Sequence, residues 1–179
     1  MKKGGVGGAR TLTDLRFERN VDIRVLLSKI PGYRVEKATR EAGTNVFFDG
    51  VLVARIFRKN QFYKFLEDSG VEWSKIISKR LLPDDALLVI VRETLYIIEI
   101  KYQQVPGSVD EKLQTCDFKR KQYIKLVNGL GLKVEYVYVL NDWFKKKEYK
   151  DVLDYINSVN CQYKFNELPL SWLGLPIRS

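Results

Sequence analysis

Apolar and polar positions alternate along the chain in a way that divides it into elements. Residues 11–30 carry Leu15, Val21, Val25 and Leu26 at helical spacing. Thr13 or Asp14 is placed to cap that helix and Pro31-Gly32 to end it. Tyr33–Lys37 predicts a short strand. Val46-Phe47-Phe48 and Val51–Phe57 flank Asp49-Gly50, the signature of a hairpin with a two-residue turn. Residues 61–67 and 72–79 predict short helices separated by Ser69-Gly70. Two strands follow over 86–91 and 95–101, apolar at nearly every position and joined at Arg92-Glu93-Thr94. Pro106-Gly107 marks a loop, and Ser108 with Glu111 has capping-box spacing. Residues 109–128 predict a helix with an apolar stripe through Leu113, Cys116, Tyr123 or Ile124, and Val127, stopped by Gly129 and Gly131. Lys133–Leu140 alternates with period two, as a strand does. Residues 147–159 form another amphipathic helical pattern, and a last strand is expected over 163–168.

This order predicts an α/β fold, a mixed central β-sheet flanked by α-helices. No internal repeat or linker interrupts it, so residues 11–179 are expected to form one domain after a flexible, glycine-rich stretch over 1–10. The apolar runs are too short to span a bilayer, and Lys3 is followed by glycines rather than by an apolar stretch. No membrane partner and a cytoplasmic location are therefore expected.

Charge narrows the partners. The 179 residues include 31 Lys and Arg against 22 Asp and Glu, a net charge of +9. A lysine-rich solvated surface accounts for this, and so does an acidic partner, of which nucleic acid is the commonest. The helix face with Lys112, Lys119, Arg120, Lys121 and Lys125, the run Lys145-Lys146-Lys147, and Arg55, Arg58 and Lys59 flanking the hairpin are each open to both readings. Cys116 and Cys161 form no CxxC pair and are expected to be free packing thiols. Histidine is absent altogether. That excludes Ser-His-Asp and Cys-His catalysis and every imidazole metal site. A metal here must be held by oxygen, which suits Mg²⁺, Mn²⁺ or Ca²⁺.

Charges on the two central strands are the candidate chemistry. Glu99 and Lys101 lie two apart and share one face of their strand. If 88–90 pairs with 94–96 across a three-residue turn, Asp85 faces Glu99; a slip of one residue brings in Asp84 instead. Two carboxylates repel unless a cation lies between them. A divalent ion there lowers the pKa of a bound water and stabilises charge on a phosphate, with Lys101 beside it.

Pro83-Asp84 followed by Glu99-Ile100-Lys101, on a hairpin that leads into a helix and a strand, resembles the PD-(D/E)XK nuclease superfamily. The resemblance spans roughly residues 81–140. It implies a restriction-endonuclease-like core with Asp84 and Glu99 as metal ligands, the Ile100 carbonyl as a further ligand, and Lys101 as the catalytic lysine. Asp85 stays open as the alternative ligand. Gln103, Gln104, Ser108, Lys112 and Lys119 become candidates for substrate contact. Glu67 and Glu72 are candidates for an additional upstream acid, or are simply solvated helix acids. The implied activity is that of an endonuclease dependent on Mg²⁺, with Mn²⁺ able to substitute. It would cut double-stranded DNA at a specific sequence as a type II restriction enzyme, and two cuts imply a homodimer. The alternatives are a junction resolvase or repair nuclease of the same fold, and a DNA-binding module without activity.

Overall fold

The computed structural model describes residues 14–19 and 21–178. The flexible stretch expected over 1–10 and the cap expected at Thr13 lie outside them. In chain order the elements are β1 (Asp14–Arg16), α1 (Ile23–Ser28), β2 (Tyr33–Lys37), β3 (Thr44–Phe48), β4 (Val51–Phe57) and α2 (Asn60–Asp68). Then come β5 (Asp85–Val89), β6 (Thr94–Lys101), α3 (Val109–Leu113), α4 (Cys116–Val127) and β7 (Lys133–Leu140). The chain ends with α5 (Lys150–Ser158), β8 (Gln162–Phe165), β9 (Glu167–Pro169) and α6 (Leu170–Leu173).

Strands β2 to β8 form one seven-stranded sheet in sequence order. Pairing is antiparallel from β2 to β6 and parallel from β6 through β7 to β8, so the sheet is mixed as expected. The Asp49-Gly50 turn has both residues in the left-handed region, at φ 45° and 85°, as a type I′ hairpin turn requires. β1 and β9 make a separate antiparallel pair.

Alternate side chains of β6 enter different cores. Leu95 and Ile97 join Phe62, Tyr123 and Ile156, from α2, α4 and α5, on one face. Tyr96 and Ile98 join Ile23, Leu168 and Leu173, from α1, β9 and α6, on the other. The six residues Thr94–Glu99 are all buried, which makes β6 the covered central strand that its apolar run implies.

Four elements differ from their sequence patterns. The helix expected over 11–30 is β1 followed by the short α1, and Asp22, not Asp14, is its N-cap, accepting from the Arg24 amide at 2.9 Å. Leu15 and Phe17 alternate inward with period two, and that burial outweighs the helical spacing of the later residues. The helix expected over 72–79 is one 3-10 turn at Trp73–Lys75. The helix expected over 109–128 breaks between α3 and α4, and Ser108 makes no side-chain capping bond. The last strand divides at Asn166, in the left-handed region at φ 61°, which turns the chain from the main sheet to the β1 pair.

Candidate active site

β5 and β6 pair with Asp85 opposite Ile98 and Val89 opposite Thr94. The hairpin closes through a 3-10 turn at Ile90–Arg92 followed by Glu93 at φ 48°. Four residues occupy the turn rather than three. That single extra residue moves the register by one, and a one-residue slip exchanges the faces of a strand. Asp84 therefore approaches Glu99, while Asp85 turns to the opposite face with Ile98.

Asp84 Oδ2 accepts the Ile100 N–H at 3.1 Å. Lys101 Nζ lies 3.6 Å from the same oxygen and 3.1 Å from Glu99 Oε2. Lys119, in the first turn of α4, reaches both Glu99 oxygens at 3.1 Å. Two strands and one helix thus bring two acids and two lysines to one point at the C-terminal end of β6. Glu99 is only 5% exposed. Burial pushes its carboxyl up, but Lys101 and then Lys119 outweigh burial and hold it below the ordinary carboxylate range. The buried Tyr136 hydroxyl also faces Glu99, outside ordinary hydrogen-bond geometry, and burial pushes it far above the usual tyrosine value.

Residues 46–163, about two thirds of the chain, match the family model of a PD-(D/E)XK nuclease superfamily domain. The chain belongs to the PD-(D/E)XK nuclease superfamily. No curated protein and no solved structure matches the chain.

The donor set of this nuclease fits a hard divalent cation. Both converging side chains offer carboxylate oxygen, and the Lys101 ammonium already stands between them as a cation would. Among the described residues, no three His, Cys, Asp or Glu side chains cluster closely enough to hold a metal by themselves. Two carboxylates need a backbone oxygen, water or phosphate to complete a shell, and such an incomplete protein shell is ordinary for Mg²⁺.

Asp85 is only 1% exposed, and its partner is Arg58. Arg58 Nε lies 3.3 Å from Asp85 Oδ1 at an angle that makes no hydrogen bond. The same guanidinium donates to Asp22 Oδ2 at 3.1 Å and to the Asp84 carbonyl at 3.4 Å. Burial pushes the Asp85 carboxyl up to about 7, against the pull of Arg58. Asp85 thus lies away from Glu99, and Arg58 braces the backbone of Asp84 from behind.

The remaining candidates separate by location. Gln103 is buried, and its side-chain amide donates to the Val105 carbonyl at 2.9 Å and more weakly to that of Gly107. It holds the loop beyond Lys101 together. Gln104, Ser108 and Lys112 are exposed on that loop and on α3. Lys119 contacts Glu99 directly. Glu67 receives the Trp73 indole N–H and pairs with Arg80, while Glu72 pairs with Lys75, so both face partners away from the cluster.

Two contributors escaped sequence reasoning. Asn141 accepts the Gln103 N–H at 3.2 Å and donates to the Gln103 carbonyl at 2.8 Å, tying β7 to the residue two beyond Lys101. Its only sequence signal was a polar residue at the end of the β7 pattern. Asp22, which holds Arg58, carried the signal of a helix cap three residues before Val25, hidden by the longer pattern around it.

Proposed function

We propose that this nuclease is a Mg²⁺-dependent endonuclease that hydrolyses phosphodiester bonds of double-stranded DNA at a specific sequence, in the manner of a type II restriction enzyme. The convergence of Asp84, Glu99 and Lys101 at one strand end carries the reading. Asp84, Glu99 and the Ile100 carbonyl would hold the cation. Bound there, it supplies a Lewis acid for the phosphate and an acidified water at neutral pH. Asp84 is oriented by the Ile100 amide. Glu99 is kept ionised by the two lysines around it. Lys101 is within reach of both acids, so its ammonium can orient the attacking water and offset charge on the phosphate in flight. Lys119 balances Glu99 from the other side. One such site cuts one strand. A homodimer, with two sites related by a two-fold axis, would cut both strands of a palindromic target.

The test is plasmid DNA incubated with Mg²⁺, with fragment ends mapped and the protein sized in solution. Discrete double-strand fragments from a dimer support the reading. Lys101→Met is expected to lower cleavage by roughly 10²- to 10³-fold, the range for removing one preorganised donor that stabilises developing charge. Cleavage confined to branched substrates would point to a resolvase. Equal cleavage by Lys101→Met and wild type would remove this site from the chemistry.

A further inference from the structure

Beside the site lies a groove of about 470 Å³ lined by Lys145, Lys146, Lys147, Lys150, Leu153 and Tyr163. All four lysines are exposed. Lys145 pairs with Asp142 at 2.7 Å, and Lys150 pairs with Asp154, which also lines the groove. Lys146 and Lys147 have no acidic partner among the described residues. Aromatic rings hold two of the ammonium groups: Lys146 Nζ is 3.1 Å from the Trp143 ring centre, and Lys145 Nζ is 5.2 Å from that of Phe165. Trp143 is itself fixed, its indole N–H donating to the Tyr149 hydroxyl at 2.7 Å. Crowded lysines repel one another, and ordering a lysine costs rotamer entropy. A ring-braced cluster meets both costs before any ligand arrives.

The fold sets this groove at the same end and on the same face of the sheet as the acids. Lys101 is level with Leu140 on β7, and Leu140 is level with Phe165 on β8. Residues 142–145 follow directly from the end of β7, and Asn141 is bonded to the backbone of Gln103. Trp143, Leu153, Tyr163 and Phe165 pack with the core that lies under Leu95 and Ile97, the face that Glu99 and Lys101 share. Two strand spacings separate Lys101 from Phe165, roughly 10 Å. That is the length of about three base-pair steps of 3.4 Å measured along the duplex axis.

We infer that the Lys145–Lys150 groove is a docking surface for the phosphate backbone of the DNA being cut, engaging it within a few nucleotides of the scissile phosphate. The inference rests on the nuclease reading and adds where the substrate lies beyond the reacting bond. Contacts from lysine to phosphate carry no base information. The groove therefore contributes affinity and register, and loops nearer the bases contribute sequence choice.

The test is binding of a fluorescein-labelled 30-base-pair duplex in EDTA, followed by anisotropy across a KCl series. Each phosphate contact contributes roughly 0.9 to the slope of log K against log salt. Lys146→Gln with Lys147→Gln is expected to reduce that slope by about two. Lys125→Gln with Lys133→Gln removes the same charge from the opposite end of the sheet and is expected to leave the slope nearly unchanged. All four side chains are exposed, so circular dichroism should show every variant folded. An unchanged slope in the first pair, or equal losses in both pairs, overturns the groove assignment and leaves the active-site reading intact. A wild-type protein that does not bind the duplex overturns the DNA reading itself, and the groove assignment with it.

Discussion

Replacing Arg58 by methionine should cost about 3 kcal/mol of stability at pH 8.5 and much less at pH 5.5. Breaking a buried ion pair from one side typically costs about 3–5 kcal/mol, because the remaining charge stays buried without a partner. Asp85 meets that condition at 1% side-chain exposure. The low end applies because Arg58 is 36% exposed, so solvent already screens part of the pair. Methionine keeps much of the aliphatic volume and removes the charge together with the bonds to Asp22 and the Asp84 carbonyl. The pH dependence follows from the acid. Burial raises Asp85 from 3.8 in the unfolded chain to about 7 in the folded protein. Between those values the folded state holds a proton that the unfolded chain has released, so this group's contribution to stability falls as pH rises through the window. Without Arg58 the folded value moves higher still, and the fall continues above pH 7. The gap between wild type and Arg58→Met should therefore widen from pH 5.5 to 8.5. Urea unfolding in EDTA at the two pH values measures it. In the background of Asp85→Asn the same substitution should cost only about 1 kcal/mol, the scale of the hydrogen bonds it still removes. A cost below 1 kcal/mol at pH 8.5, or equal costs at both pH values, would refute the argument.

Asn141→Ala should lose about 1–2 kcal/mol from its reciprocal bonds to Gln103, seen as a lower urea midpoint. Faster hydrogen exchange should be confined to the loop beyond Lys101; uniform exchange across the domain would mean that the clamp is not local. Gly43→Ala should be strongly destabilising, by about 2 kcal/mol or more. Its φ is +93°, and a Cβ there would lie 2.5 Å from the Ile56 carbonyl oxygen and 2.7 Å from the Phe57 ring. Gly50→Ala, at a similar φ of +85° but with open space around the Cβ, separates backbone strain from collision and should cost less in the same thermal melt.

Legibility in the sequence followed the range of the interactions involved. The Asp49-Gly50 turn, the β7 alternation and the two faces of β6 are local patterns, and each appears where its residues indicate. So does the pairing of Glu99 with Lys101, because alternation on one strand needs no other element. The helix over 11–30 failed because its residues are buried against β9 and α6, which lie far along the chain. Periodicity within a window cannot register such a partner.

The choice between Asp84 and Asp85 shows the same boundary at atomic scale. Residue order and composition alone dictate that an acid pair enters one strand, that Glu99 and Lys101 share a face of the next, and that any metal must be bound by oxygen. Tertiary structure alone decided which acid faces Glu99. One additional residue in the Ile90–Glu93 turn shifted the register, and a strand's period of two converts one residue into the opposite face. The brace of Arg58 on Asp85 and the reach of Lys119 to Glu99 were also settled there. Each joins residues that only the packed sheet brings within a few ångströms, and no local pattern encodes such a distance.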